Sequence, residues 1–162
     1  DWSSDVCSSD LMYMMNQVYH IVSVPTWNTV LTSWSFYLTV ALSGLALAYA
    51  LLMSNKQRSY PLNFVPGLFA LAVLCASVVC IYQGFNLQGI HSAIQNAAAL
   101  MPDYASMTAV RLCLLAIASF LLFRAKHVGL LWGSVILTFV AEGIGRTLFY
   151  GLHMTYGMAI GS

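Results

Sequence analysis

Four stretches of this chain are apolar on every face; short charged breaks follow the first and third, and a longer connection of 83–103 separates the second from the third. The stretches cover 34–53, 62–82, 104–123 and 129–150. Each is close to the roughly 20 residues that a helix needs to cross the hydrocarbon core of a bilayer. None shows the one-sided apolar stripe of a helix on the surface of a soluble fold. The first carries no charge and is followed by Lys56 and Arg58. Pro61 and Pro66 mark the start of the second, where a missing backbone N–H costs nothing. Asp103, after Pro102, stands where an N-cap opens the third, and Arg124 and Lys126 close it. The fourth contains Glu142 and Arg146. Residues 12–19 read as the last turns of a further helix, so the chain is expected to be a fragment whose own sequence begins near Met12. Between the second and third stretches, 89–101 mixes small and apolar residues with Gln95 and Asn96, which predicts a short interfacial helix ending at Pro102. The pattern predicts an all-α, polytopic transmembrane helix bundle of four spans plus that interfacial helix.

Composition supports this fold class. Hydrophobic residues make up 60% of the 162 and charged residues 7%, against about 25% charged in soluble domains. So few charges exclude an ordinary soluble enzyme and a disordered segment. Six Lys and Arg without a basic stripe exclude a nucleic-acid binder.

Residues 1–11 do not fit. They hold four Ser and three Asp, lack the basic and apolar regions of a signal peptide, and resemble the translation of a sequencing adapter. Set aside as foreign, they leave six bases against two acids in 12–162. The remaining Lys and Arg outside the spans are Lys56, Arg58, Arg124 and Lys126. The other loops and the tail have none, so the positive-inside bias predicts these two loops in the cytoplasm and the C-terminus outside. Trp27, Trp34, Trp132, Tyr60, Tyr82 and Tyr150 fall near span ends, as interface anchors do.

Few residues carry recognisable chemistry. Cys75, Cys80 and Cys113 lie within spans with no Cys-x-x-Cys spacing, and read as small apolar residues rather than metal ligands. His20, His91, His127 and His153 fall outside the spans or at their margins, so no bis-histidine haem site is expected. His91 and His153 are candidates for a quinol or subunit contact on the outer face, since histidine trades protons near neutral pH. The charged residues inside spans are the sharpest feature. Arg111 lies eight residues after Asp103 and Glu142 eight before Tyr150, each ~12 Å from the same end of the bundle at 1.5 Å per residue. Arg146, four residues on, shares the Glu142 face. Intramembrane charges normally pair and face the bundle interior. Two readings stand: a structural Arg111–Glu142–Arg146 cluster with Glu142 between the two arginines, or a proton-linked pocket on the quinol side. Small residues four apart, Gly44 with Ala48, Ala46 with Ala50, Gly129 with Gly133 and Ala141 with Gly145, would let helices approach closely.

Several motifs go beyond generic transmembrane composition. They are Val24-Pro25-Thr26-Trp27, Ile90-His91-Ser92-Ala93-Ile94-Gln95, Ala97 through Tyr104, Glu142-Gly143-Ile144-Gly145-Arg146, Phe149 through Thr155, and Gly157-Met158-Ala159. Together they resemble the membrane anchor subunit of bacterial dimethyl sulfoxide reductase, from about Met12 to Ser162. The resemblance implies an eight-helix anchor of which this chain is the C-terminal half. It implies no haem and no covalent cofactor, with menaquinol as the substrate of the full-length anchor. Electrons would pass to an iron–sulfur subunit and on to a molybdopterin catalytic subunit, in the bacterial cytoplasmic membrane during anaerobic respiration. The family histidine tied to quinol would lie in the other half. The resemblance therefore implies a non-catalytic subunit of an oxidoreductase complex. The alternative from the residues alone is a transporter-type bundle that uses its intramembrane charges for substrate. Such bundles more often break their helices mid-membrane with Gly or Pro, and here Pro66 stands at a span end.

Overall fold

The computed structural model describes residues 2–20, 27–54, 62–89, 103–125 and 127–151. Five helices follow in chain order: α1 (Trp2–Tyr19), α2 (Val30–Ser54), α3 (Val65–Gly89), α4 (Tyr104–Arg124) and α5 (Val128–Gly151). Among the described residues there is no strand. Four segments are long and apolar enough to cross a membrane: Val30–Ser54, Val65–Asn86, Tyr104–Arg124 and Val128–Gly151.

The four expected spans are therefore present, with shifted ends. α2 begins four residues before the predicted 34, because Thr29 and Thr32 join in a hydroxyl hydrogen bond of 3.2 Å and close the first turn. α3 begins at Val65 rather than 62, after a turn in which the Val65 N–H reaches the Leu62 carbonyl. Pro66 thus sits in the first turn, where its missing N–H is not needed. α3 also continues to Gly89, so residues 83–89, predicted as part of a connection, are helical. Backbone hydrogen bonding does not stop where hydropathy falls. The rest of the predicted interfacial helix lies outside the described residues. Asp103 precedes α4 as expected, but its side chain makes no capping bond; instead Ser106 Oγ donates to its carbonyl at 2.8 Å.

The extensive contacts run round a ring: α2 against α3, α3 against α4, α4 against α5, and α5 back against α2. α4 and α5 make the most extensive contact and stand only three residues apart in the sequence. The bundle therefore has a turn end, where α2 and α4 finish, and an open end, where α2 and α4 start.

In the half nearer the turn end the core is mainly apolar. Leu42, Ala46, Ala50, Phe69, Leu115, Ala118 and Ala141 are buried in one cluster with Leu122, Leu131 and Val135. Of the four small-residue pairs, Ala46 with Ala50 lies wholly in this packed interior, and Ala141 lies there with Gly145 one turn beyond. Gly44 and Gly129 have open space around them and do not mark an interface within this bundle.

Candidate functional site

About 10 Å inside the open end, counted at 1.5 Å per residue from Tyr104 to Arg111, the interior turns polar. Each of the four membrane-length helices contributes one side chain. Arg111 from α4 donates through Nη2 to both carboxylate oxygens of Glu142 on α5, at 3.1 Å each. Thr39 Oγ1 on α2 donates to Glu142 Oε2 at 2.7 Å. Arg111 Nη1 donates to Cys80 Sγ on α3 at 3.4 Å. The run of bonds Thr39, Glu142, Arg111, Cys80 thus closes the ring of helices through its centre.

Arg111 is 7% exposed and Glu142 4%. Charges buried this deeply in an apolar bundle are tolerable only as a pair. Among the described residues theirs is the ion pair within 4 Å. The Thr39 hydroxyl also lies 2.9 Å from the Ser35 carbonyl. A hydroxyl has one proton to give, and the shorter contact to the charged acceptor is the stronger.

Helix packing explains the placement. The Arg111 guanidinium lies against the backbone of α5 at Gly145. A Cβ there would stand 2.7 to 2.9 Å from Arg111 Cζ, Nε and Nη1. Only a residue without a side chain lets the guanidinium lie flat on α5 and reach Glu142 one turn away.

Arg146 does not join this cluster as expected. It turns toward the open end, and its guanidinium stacks 3.9 Å from the centroid of the Phe36 ring. Glu142 is therefore bonded to one arginine, Arg111, and not to both. A spacing of four residues puts both side chains on one face of α5, but the Phe36 ring offers Arg146 a partner nearer the polar boundary. Phe36 belongs to an aromatic cluster with Tyr19, Phe149, Trp27 and Tyr150. Trp27 stacks on Phe149 at 5.2 Å and donates Nε1–H to the Phe149 carbonyl at 3.0 Å, satisfying a carbonyl near the end of α5. Tyr19 and Tyr150 share a hydroxyl bond of 2.7 Å, which ties α1 to α5.

His20 bonds Asn28 and Ser33, at 3.3 and 2.8 Å. His91 and His153 lie outside the described residues, as do Lys56, Arg58 and Lys126. Among the described residues no group of three or more His, Cys, Asp or Glu could hold a metal. Reading by residue type missed Thr39 and Cys80. Cys80 was expected as an apolar filler, yet its sulfur accepts a hydrogen bond from the Arg111 guanidinium. A threonine and a cysteine in apolar spans carry no signal of their own; only their depth relative to Arg111 and Glu142 could have flagged them.

Comparison with known proteins decides the family. The family model for the DMSO reductase anchor subunit (DmsC) matches residues 10–152. The protein belongs to this family. It is 70% identical over 150 residues to an anaerobic dimethyl sulfoxide reductase subunit of Haemophilus influenzae, an alignment that takes in 93% of this sequence and 54% of that protein. It is 40% identical over 158 residues to the subunit of the same name in Escherichia coli K12, over 93% of this sequence and 55% of that protein. With the anaerobic dimethyl sulfoxide reductase subunit YnfH of the same organism it shares 42% over 155 residues, over 92% and 54%. The sequence thus spans about half the length of the curated relatives it matches. No solved structure matches it. The resemblance carried by the loop and tail motifs and the family match agree, and the four apolar helices suit a multi-pass membrane subunit.

Proposed function

We propose that this bundle is the C-terminal half of an anchor that oxidises menaquinol and passes the electrons to an iron–sulfur subunit. That subunit would feed a molybdopterin catalytic subunit reducing S-oxides or N-oxides. Family membership carries the reading. The four membrane-length helices also run unbroken, unlike the discontinuous helices of many carriers, which weighs against a transporter. In this reading the open end faces outside the cytoplasmic membrane, and the turn end faces the cytoplasm with Arg124 and its neighbours. The Arg111–Glu142 pair serves as a lock that holds the four helices in register. His91 and His153 stand on the outer side as contacts for quinol or subunits, and the anchor binds no haem of its own.

The test uses membranes that contain the whole complex. Deleting the full-length anchor should abolish oxidation of a reduced naphthoquinol coupled to dimethyl sulfoxide and release the catalytic subunits from the membrane. Unchanged quinol oxidation after deletion would overturn the reading. A reporter active only outside the membrane, fused after Ser162, should be active; silence at normal expression would reverse the orientation. Reduced spectra of the purified anchor should lack b-type haem bands.

A further inference from the structure

A stripe of polar residues leads from the open end to the buried ion pair. Tyr104, Thr108 and Arg111 are spaced four and three apart, so they share one face of α4. Facing them on α3 are Gln83 and Cys80, three residues apart. With Gly145 of α5 these six residues line a small cavity. It leaves about 10 Å³ for the centre of a water, close to the least that one water needs.

Two buried polar atoms on the walls of this cavity have no hydrogen bond within 3.5 Å among the described residues: Arg111 Nε, and Thr108 Oγ1, which has the Tyr104 hydroxyl as a looser neighbour. Arg111 is more than nine-tenths buried. Its Nη groups are committed to Glu142 and Cys80, and Nε lies against Gly145 beside the cavity. A guanidinium N–H left without an acceptor in a low-dielectric interior is costly. The acceptor must be small. It need not be anionic, because Glu142 already balances the charge of Arg111.

We propose that this cavity is a water-binding site. One ordered water accepts from Arg111 Nε and bonds Thr108 Oγ1. It is the innermost member of a hydrated inlet that follows Thr108, Tyr104 and Gln83 to the open end. The buried ion pair is thereby in contact with water on that side, whereas the core toward the turn end is packed mainly with apolar side chains.

Cys80 provides a native reporter at the site. Cys75, five residues earlier on the same helix, lines an apolar groove with Leu31, Trp34, Leu74 and Val78 and serves as the control. The full-length protein in lipid nanodiscs is exposed to X-ray pulses that make hydroxyl radicals from bound water, and thiol oxidation is read by mass spectrometry. Because polar cavities hold water and apolar ones stay dry, Cys80 should oxidise at least about fivefold faster than Cys75. Thr108→Val should bring the Cys80 rate down toward that of Cys75, and Thr108→Ser should leave it high. Should Thr108→Val fail to fold, Gln83→Leu at the half-exposed rim gives the same reading. A Cys80 rate no higher than that of Cys75 in the native protein overturns the proposal, as does a rate unchanged by drying the inlet. A high-resolution structure with a lipid or quinone group in the cavity would also overturn it.

Discussion

In the half of the bundle near the turn end, the buried hydroxyls make no bond to another helix: Ser134 and Thr138 bond within their own, and Ser119 Oγ has no partner among the described residues. Ser134 donates to the Leu131 carbonyl at 2.7 Å and Thr138 to the Ser134 carbonyl at 2.8 Å, and both are fully buried. In the half near the open end, Thr39 sends its proton across to Glu142 on another helix, and Arg111 reaches two helices at once. The first half is held by close packing of Ala, Leu and Phe, the second by directional bonds about one ion pair. Apolar packing in lipid gains little from the hydrophobic effect and depends on fit. A buried ion pair instead fixes which face of each helix points inward, because no other rotation satisfies the charges. The bundle thus takes tightness from one half and register from the other.

Breaking that difference should have its largest effect at Glu142. Glu142→Ala leaves the Arg111 guanidinium buried without a counter-charge. Loss of one partner of a buried pair typically costs about 3–5 kcal/mol, softened where an arginine can snorkel to the interface. The thermal midpoint and monodispersity of the purified full-length protein should both fall, and assembly with its partners should drop. Glu142→Gln keeps shape and two hydrogen bonds but also removes the counter-charge, so it should recover only part of the assembly. If the pair is a lock, quinol oxidation should then track protein level. Full assembly of Glu142→Gln with collapsed turnover would instead assign the carboxylate to proton handling.

Gly145→Ala comes next. Its methyl would meet the guanidinium well inside contact distance, so either Arg111 or α5 must shift. Overpacking of this kind costs about 1–3 kcal/mol. The melting temperature should fall less than for Glu142→Ala, and a double variant should lose less than the sum, because both act through the same guanidinium.

The smallest effects sharpen the comparison most. Thr39→Val removes a bond that crosses between helices, and such bonds in membrane proteins average about 0.6 kcal/mol. Thr138→Val removes a hydroxyl that bonds only its own helix, four residues back. Denaturation of the two variants should show a measurable loss for Thr39→Val and almost none for Thr138→Val. Equal losses would mean that the two halves do not differ as their hydrogen bonds indicate.

The sequence alone determined a great deal here. Runs of apolar residues as long as a bilayer is thick admit little besides spanning helices, since backbone groups in lipid must bond within the segment. The depth of Arg111 and Glu142 followed from counting residues along helices of fixed rise, and the loop and tail motifs pointed to the anchor family. Rotation of each helix about its own axis could not be read in this way, because spans apolar on every face carry no periodic signal of which side faces in. Tertiary packing decided it. It put Thr39 and Cys80 beside the ion pair, turned Arg146 away onto Phe36, and set Gly145 beneath the Arg111 guanidinium. A buried charge accepts only the neighbours that fully satisfy it, and those neighbours lie on other helices, brought close by packing rather than by spacing along the sequence.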